Sequence, residues 1–225
     1  MQQKAFLKKR ALKLNRIKAL IFDYNGTIVD DVAIHLKAYQ QALGEVGIRI
    51  SKREMADNLG QSTYENIKAI IERHGAKADY KVVTERKMQL YVDAVKGRNI
   101  LFSGVLEFLK QLKARGFKLG LYTGSPRKQI TTPGLYKLFD VVVAGRTRFP
   151  PRPNPQGLLH LAKRMGANQK ECAYIGDMSS DMQTARNAEM LAIGIENEFF
   201  PSEVLLNSGA DIVISNFNEL EKVID

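Results

Sequence analysis

The sequence predicts an α/β protein: a doubly wound parallel sheet with a Rossmann-like core, interrupted by an all-helical insertion. Three observations lead there. Short apolar runs recur along the chain and stop abruptly at polar or turn residues, as buried strands of a parallel sheet do. Stretches with helical periodicity lie between them. Residues 31–97 alone break the alternation, with helix signals and no convincing strand.

The first run, I-K-A-L-I-F-D at 17–23, ends in the turn-forming residues 23–27. Similar runs at 118–122, 141–144, 172–175, 191–195 and 212–214 supply five more strands. Helical patterns occupy 105–115, 156–165 and 181–188. Within 31–97, Ser51 with Glu54 and Ser62 with Glu65 have capping-box spacing, while Gly44, Gly47, Gly60, Gly75 and Gly97 punctuate the segment. The expected organisation is a basic extension at 1–16, an α/β core formed by 17–30 and 98–225, and a helical domain at 31–97.

Composition removes several function classes. The chain has 225 residues, 44% of them hydrophobic and 26% charged, which suits a folded globule rather than a disordered chain. The single cysteine, Cys172, excludes an internal disulfide framework or a thiolate metal cluster. No apolar run reaches the ~18 residues of a membrane span, and no signal-peptide core is expected, so a cytoplasmic location without membrane partners is predicted. The net charge of +10 resides largely in residues 1–16, which hold six basic and no acidic side chains. A solvated basic extension accounts for it, and no specific nucleic-acid partner is expected.

Ligands of doubly wound sheets bind beyond the carboxyl ends of the strands, where this sequence places three polar loops. They are D-Y-N-G-T at 23–27, Y-T-G-S at 122–125 and G-D-M-S-S-D at 176–181. Each alone reads as a turn or a helix start. Together they put a carboxylate at each of two strand ends, able to share one Mg²⁺, with a hydroxyl and a helix N-terminus to receive phosphate oxygens. His35, His74 and His160 lack ligand spacing, and Cys172 sits inside an apolar run.

With these motifs the chain resembles the haloacid dehalogenase superfamily, in the phosphoglycolate phosphatase and β-phosphoglucomutase group, over about residues 17–215. S-G-V-L-E-F-L-K at 103–110 is similar to the segment that follows the helical cap in that group. The resemblance implies that 31–97 is a cap and that Asp23 is a nucleophile forming an aspartyl-phosphate and binding Mg²⁺. It further implies that Asn25 offers a backbone carbonyl to the metal, that Thr123 holds phosphate, and that Asp177 and Asp181 complete the metal's acidic cluster. Gly26, Thr27, Thr123 and Gly124 are then expected at the phosphate. Gly60 and Gln61, in N-L-G-Q-S-T at 58–63, are expected near the leaving group. The implied partner is a small phosphorylated metabolite, bound by a monomer or a homodimer.

Two positions depart from the family pattern. Asn25 stands where relatives carry the Asp that protonates the leaving alcohol and then activates water. An amide cannot shuttle a proton, and losing such a group costs about 10²–10⁴ in rate. In P-R-P-N-P, Arg152 replaces the usual lysine, keeping the charge in a planar fork; Arg146, Arg148 and Lys163 are other sources of that charge. A non-catalytic phosphometabolite- or protein-binding relative is therefore the alternative. Carbon–phosphorus cleavage through a cap lysine is a further one, with Lys37, Lys52 and Lys68 available but no lysine in the 58–63 loop.

Overall fold

The computed structural model describes residues 16–56, 62–130, 134–145 and 149–224. Of the basic extension, only Arg16 falls among them. Two compact units emerge: one runs to Val29 and resumes at Leu101, and the other comprises Asp30–Ile100.

The first unit is built on a six-stranded sheet in the order β3-β2-β1-β4-β5-β6. Its strands are β1 Ala19–Phe22, β2 Lys118–Thr123, β3 Val141–Ala144, β4 Cys172–Gly176, β5 Leu191–Ile195 and β6 Ile212–Ile214. Every pairing is parallel. Each of the six lies in an apolar run of the sequence, because strands covered on both faces must be apolar throughout. Ala19, Leu20, Ile21 and Phe22 are all fully buried.

Strand order reverses around β1, which pairs with β2 on one side and β4 on the other. Phe22 is in register with Leu121 and with Ile175, so the three strands end at nearly one level. Such a switch point opens a crevice beyond the strand ends, and Asp23, Thr123 and Asp177 are placed at it.

Close backbone approach fixes the elements around that crevice. Helix α6, Gln156–Met165, packs its Gly157 so near β2 that a Cβ there would lie 2.4 Å from the Tyr122 ring. The segment leading into α6 carries Arg152. Helix α7, Ser179–Asn187, starts two residues earlier than the periodicity predicts, which puts Asp181 in its first turn. Helix α5, Val105–Ala114, and two short helices beyond the patterns named above, α8 Ser202–Asn207 and α9 Phe217–Ile224, complete the unit.

In the second unit four helices are described: α1 Val32–Gly44, α2 Lys52–Ala56, α3 Thr63–Arg73 and α4 Tyr80–Val95. Ser51 and Ser62 accept hydrogen bonds from the Glu54 and Glu65 amides, as the capping spacing predicts. The Glu54 carboxylate, however, is engaged by His74 Nε2 at 2.7 Å. No helix among the described residues is long and apolar enough to cross a membrane.

Candidate active site

Asp23 follows β1 directly, and its amide donates to the Ile175 carbonyl at 2.9 Å, which extends the ladder one residue and fixes the carboxyl at the strand end. The residue is 1% exposed. Its Oδ2 lies 3.2 Å from Arg152 Nη1, whereas Oδ1 is buried without a hydrogen-bond partner. Burial pushes the Asp23 carboxyl up to about 7; Arg152 opposes the rise and Asp181 adds to it.

Asp177, just after β4, and Asp181, in the first turn of α7, reach the same place. Oxygens of Asp23, Asp177 and Asp181 lie within 4.8 Å of one another, and all three residues are buried. Asp177 Oδ1 accepts from Thr27 Oγ1 at 3.3 Å, and its Oδ2 accepts from Asn197 Nδ2 at 2.9 Å. Gly26 makes this approach possible. Its φ is +70°, and a Cβ there would stand 2.1 Å from Asp177 Oδ2. Gly176 serves Asp181 similarly, since a Cβ would meet its carboxyl carbon at 2.5 Å.

Asp181 Oδ2 accepts from the Met178 amide at 3.1 Å, a cap on the first turn of α7. Its Oδ1 accepts from Tyr174 Oη at 2.9 Å and from Arg152 Nη1. Arg152 also donates to Tyr174 Oη at 3.1 Å. Burial works against the guanidinium charge, but Asp181 and Asp23 outweigh it and hold Arg152 well above its usual range. Burial and the Asp181 charge raise the Tyr174 hydroxyl in turn.

At the end of β2, Thr123 is 3% exposed and its Oγ1 accepts the Ser125 amide at 3.1 Å. Gly124 is exposed. Asn25, half-buried, accepts a hydrogen bond at Oδ1 from Ser125 Oγ at 2.5 Å. The crevice therefore assembles Asp23, Asn25, Gly26, Thr27, Thr123, Gly124, Arg152, Asp177 and Asp181. Gly60, Gln61, Arg146 and Arg148 lie outside the described residues.

A hard divalent cation suits these groups. Three converging buried carboxylates supply oxygen ligands, and the unpartnered Asp23 Oδ1 is a buried lone pair that such an ion would satisfy.

Sequence reasoning missed Tyr174, Ser125 and Asn197, although strand-end position marks Asn197, which lies just beyond β5. It also missed Lys87 in the helical unit. Lys37 and Lys52 are exposed and Lys68 half-buried, whereas Lys87 is fully buried. Its Nζ lies 2.7 Å from His35 Nδ1 and over the rings of Tyr39 and Tyr91, at 4.6 and 5.4 Å. His35 Nε2 is 3.3 Å from Asp31 Oδ2, to which Tyr91 Oη donates at 2.6 Å. Burial, only partly countered by Asp31, takes the Lys87 amine down to about 7.

A switch-point aspartate, two more carboxylates and a cation thus converge at the carboxyl end of the sheet. The haloacid dehalogenase-like hydrolase family matches residues 20–195, and the chain belongs to it. It is similar, at 24% identity over 217 residues, to a phosphoglycolate phosphatase of Yersinia pseudotuberculosis, covering 93% of this chain and 94% of that protein. Among solved structures, a β-phosphoglucomutase from Clostridium difficile has the same fold with a TM-score of 0.78 at 24% identity, covering 92% of this chain and 97% of that one. A CbbY variant from Rhodobacter sphaeroides, solved with xylulose-(1,5)bisphosphate, gives a TM-score of 0.80 at 19% identity, covering 93% and 99%.

Proposed function

We propose that this protein is a Mg²⁺-dependent phosphatase that hydrolyses small phosphomonoesters through Asp23. The observation that carries the reading is the Asp23 carboxylate itself: buried, held at Oδ2 by Arg152 and unpartnered at Oδ1. A carboxylate so placed at a switch point can attack phosphorus with one oxygen and hold the ion with the other, while the guanidinium keeps the group oriented. The phosphatase named among the similar proteins supports the choice of phosphate esters.

Asp23, Asp177 and the Asn25 backbone carbonyl would hold Mg²⁺, with Asp181 beside them. When bound, the ion neutralises charge on the transferring phosphoryl group. Thr123 and the Gly124 backbone would receive phosphate oxygens, with Gly26 and Thr27 supporting Asp177 from the other side. Arg152 keeps Asp23 Oδ2 oriented and balances charge as the carboxylate becomes an acyl phosphate. In the second half-reaction water must attack that acyl phosphate. Asn25 cannot take the water's proton, so this step is slow. The helical unit, Asp30–Ile100, would be the cap domain.

The test is phosphate release from a panel of phosphomonoesters with and without Mg²⁺, beside Asp23→Ala as the contamination control. Release that needs both Mg²⁺ and Asp23 is expected. Asn25 also favours a second reading, in which the chain binds a phosphorylated metabolite without hydrolysing it. Saturable binding of a panel member with no release would select that reading.

A further inference from the structure

We propose that Ser125 is a positioning residue, which turns the Asn25 amide so that its N–H₂ end, not its carbonyl, is offered to the leaving oxygen of the substrate. This deepens the reading of Asp23 as nucleophile and rests on it. The motivating contact joins two strand-end loops: Ser125 Oγ and Asn25 Oδ1 are 2.5 Å apart.

The distance identifies which end of the amide faces the serine. O–H···O bonds span about 2.5–3.0 Å, whereas N–H···O bonds rarely fall below about 2.7 Å. A separation of 2.5 Å thus selects the carbonyl as acceptor and the hydroxyl as donor. Ser125 is itself held, because its amide donates to Thr123 Oγ1 at 3.1 Å, and Thr123 is anchored at the end of β2. The chain of support runs from the sheet through Thr123 and Ser125 to Asn25.

The orientation has a chemical consequence. When Asp23 attacks, the bond from phosphorus to the leaving oxygen breaks and its electron pair passes to that oxygen. A carbonyl aimed there would repel the growing negative charge. An amide N–H stabilises it by hydrogen bonding but transfers no proton, so the leaving group departs as an anion and Asp23 becomes an acyl phosphate. The substrate class this serves is aryl and acyl phosphates, whose phenolate or carboxylate products need no proton to leave. With the carbonyl held by Ser125, Asn25 replaces proton donation with a fixed dipole.

Substituted phenyl phosphates measure the effect. In Ser125→Ala, kcat/KM should fall about three- to tenfold for the least acidic phenols, the size of one lost hydrogen bond, and little for the most acidic. The dependence on leaving-group acidity then steepens. Inhibition by inorganic phosphate, which has no leaving group, should be unchanged, and Ser125→Thr, which keeps the hydroxyl, should restore the wild-type slope. A uniform loss across the series, or failure of threonine to restore the slope, overturns the proposal.

A second arm is independent of turnover. The side-chain amide resonances of Asn25, assigned by their loss in Asn25→Asp, should move in Ser125→Ala and return in Ser125→Thr. Resonances that stay in place overturn the positioning role. If the wild type releases no phosphate from any phenyl phosphate, the reading of Asp23 fails instead, and the amide resonances alone decide whether Ser125 orients Asn25.

Discussion

Arg152 in the α/β unit and Lys87 in the helical unit are both cations withdrawn from solvent, yet their surroundings treat them differently. Arg152 faces the carboxylates of Asp181 and Asp23 and stays firmly protonated. Lys87 faces a histidine nitrogen and two aromatic rings, with Asp31 the carboxylate that favours its charge, and its amine drops to about 7. A buried cation keeps its proton when the anions facing it outweigh its desolvation. Arg152 is thus a permanent charge suited to holding Asp23, and Lys87 is a group that titrates near neutrality.

The largest effect should come from breaking the Arg152 side of this contrast. Arg152→Met removes the guanidinium between Asp23 and Asp181, and kcat for phosphate release should fall by about 10²–10³. Arg152→Lys, which preserves the charge, should retain most of it; equal losses in both variants would show that the charge is not what matters.

Next comes the amide behind the acidic cluster. Asn197 Oδ1 accepts the Phe199 and Phe200 amides at 2.8 and 3.0 Å, so its Nδ2 is the end that reaches Asp177. Asn197→Ala should weaken Mg²⁺ binding by about 10–100-fold in calorimetry, as loss of a group that orients a metal ligand does.

A smaller effect follows from the Asp23 carboxyl, raised to about 7. Mg²⁺ must displace its proton below that pH, so affinity should fall by roughly tenfold per pH unit there and level off above. A flat profile between pH 5.5 and 7, measured by calorimetry in two buffers of different ionisation heat, would contradict the assignment of Asp23 as a ligand.

The Lys87 side gives the smallest effect. An unfolded lysine titrates near 10.5 and the folded one near 7, so between those values the unfolded chain binds more protons and stability gains from this group as pH rises. Below 7 both states are protonated and the full burial penalty applies. Lys87→Met should therefore exceed the wild type in urea resistance by more at pH 6.5 than at pH 9.5. A gap independent of pH would mean that Lys87 keeps its charge on folding.

The same contrast explains what was legible in the sequence. Asp23 and Asp177 announce themselves because an apolar run ending in a carboxylate and glycine is a local pattern. Ser125 on Asn25, 100 residues away, and Asn197 on Asp177, 20 away, are contacts that only the strand order creates. Tyr174 reads as one more apolar strand residue until Asp181 is seen to fold back onto its hydroxyl. Lys87 was readable in part. Val83, Lys87, Tyr91 and Val95 are the buried residues of α4, spaced four apart, so helical periodicity places a lysine on the apolar stripe. What periodicity lacks is the partner, His35 on α1.

The central claim, that Asp23 is the nucleophile and Asn25 withholds the proton shuttle, is tested most directly by quenching the protein seconds after mixing with Mg²⁺ and p-nitrophenyl phosphate and locating phosphate by mass spectrometry. A phosphoryl group should accumulate on Asp23 in the wild type. In Asn25→Asp it should turn over without accumulating, with alkyl phosphate hydrolysis gaining up to about 10²–10⁴. Phosphate release without any phosphoryl group on Asp23, or an equal gain on aryl and alkyl substrates, would contradict the account.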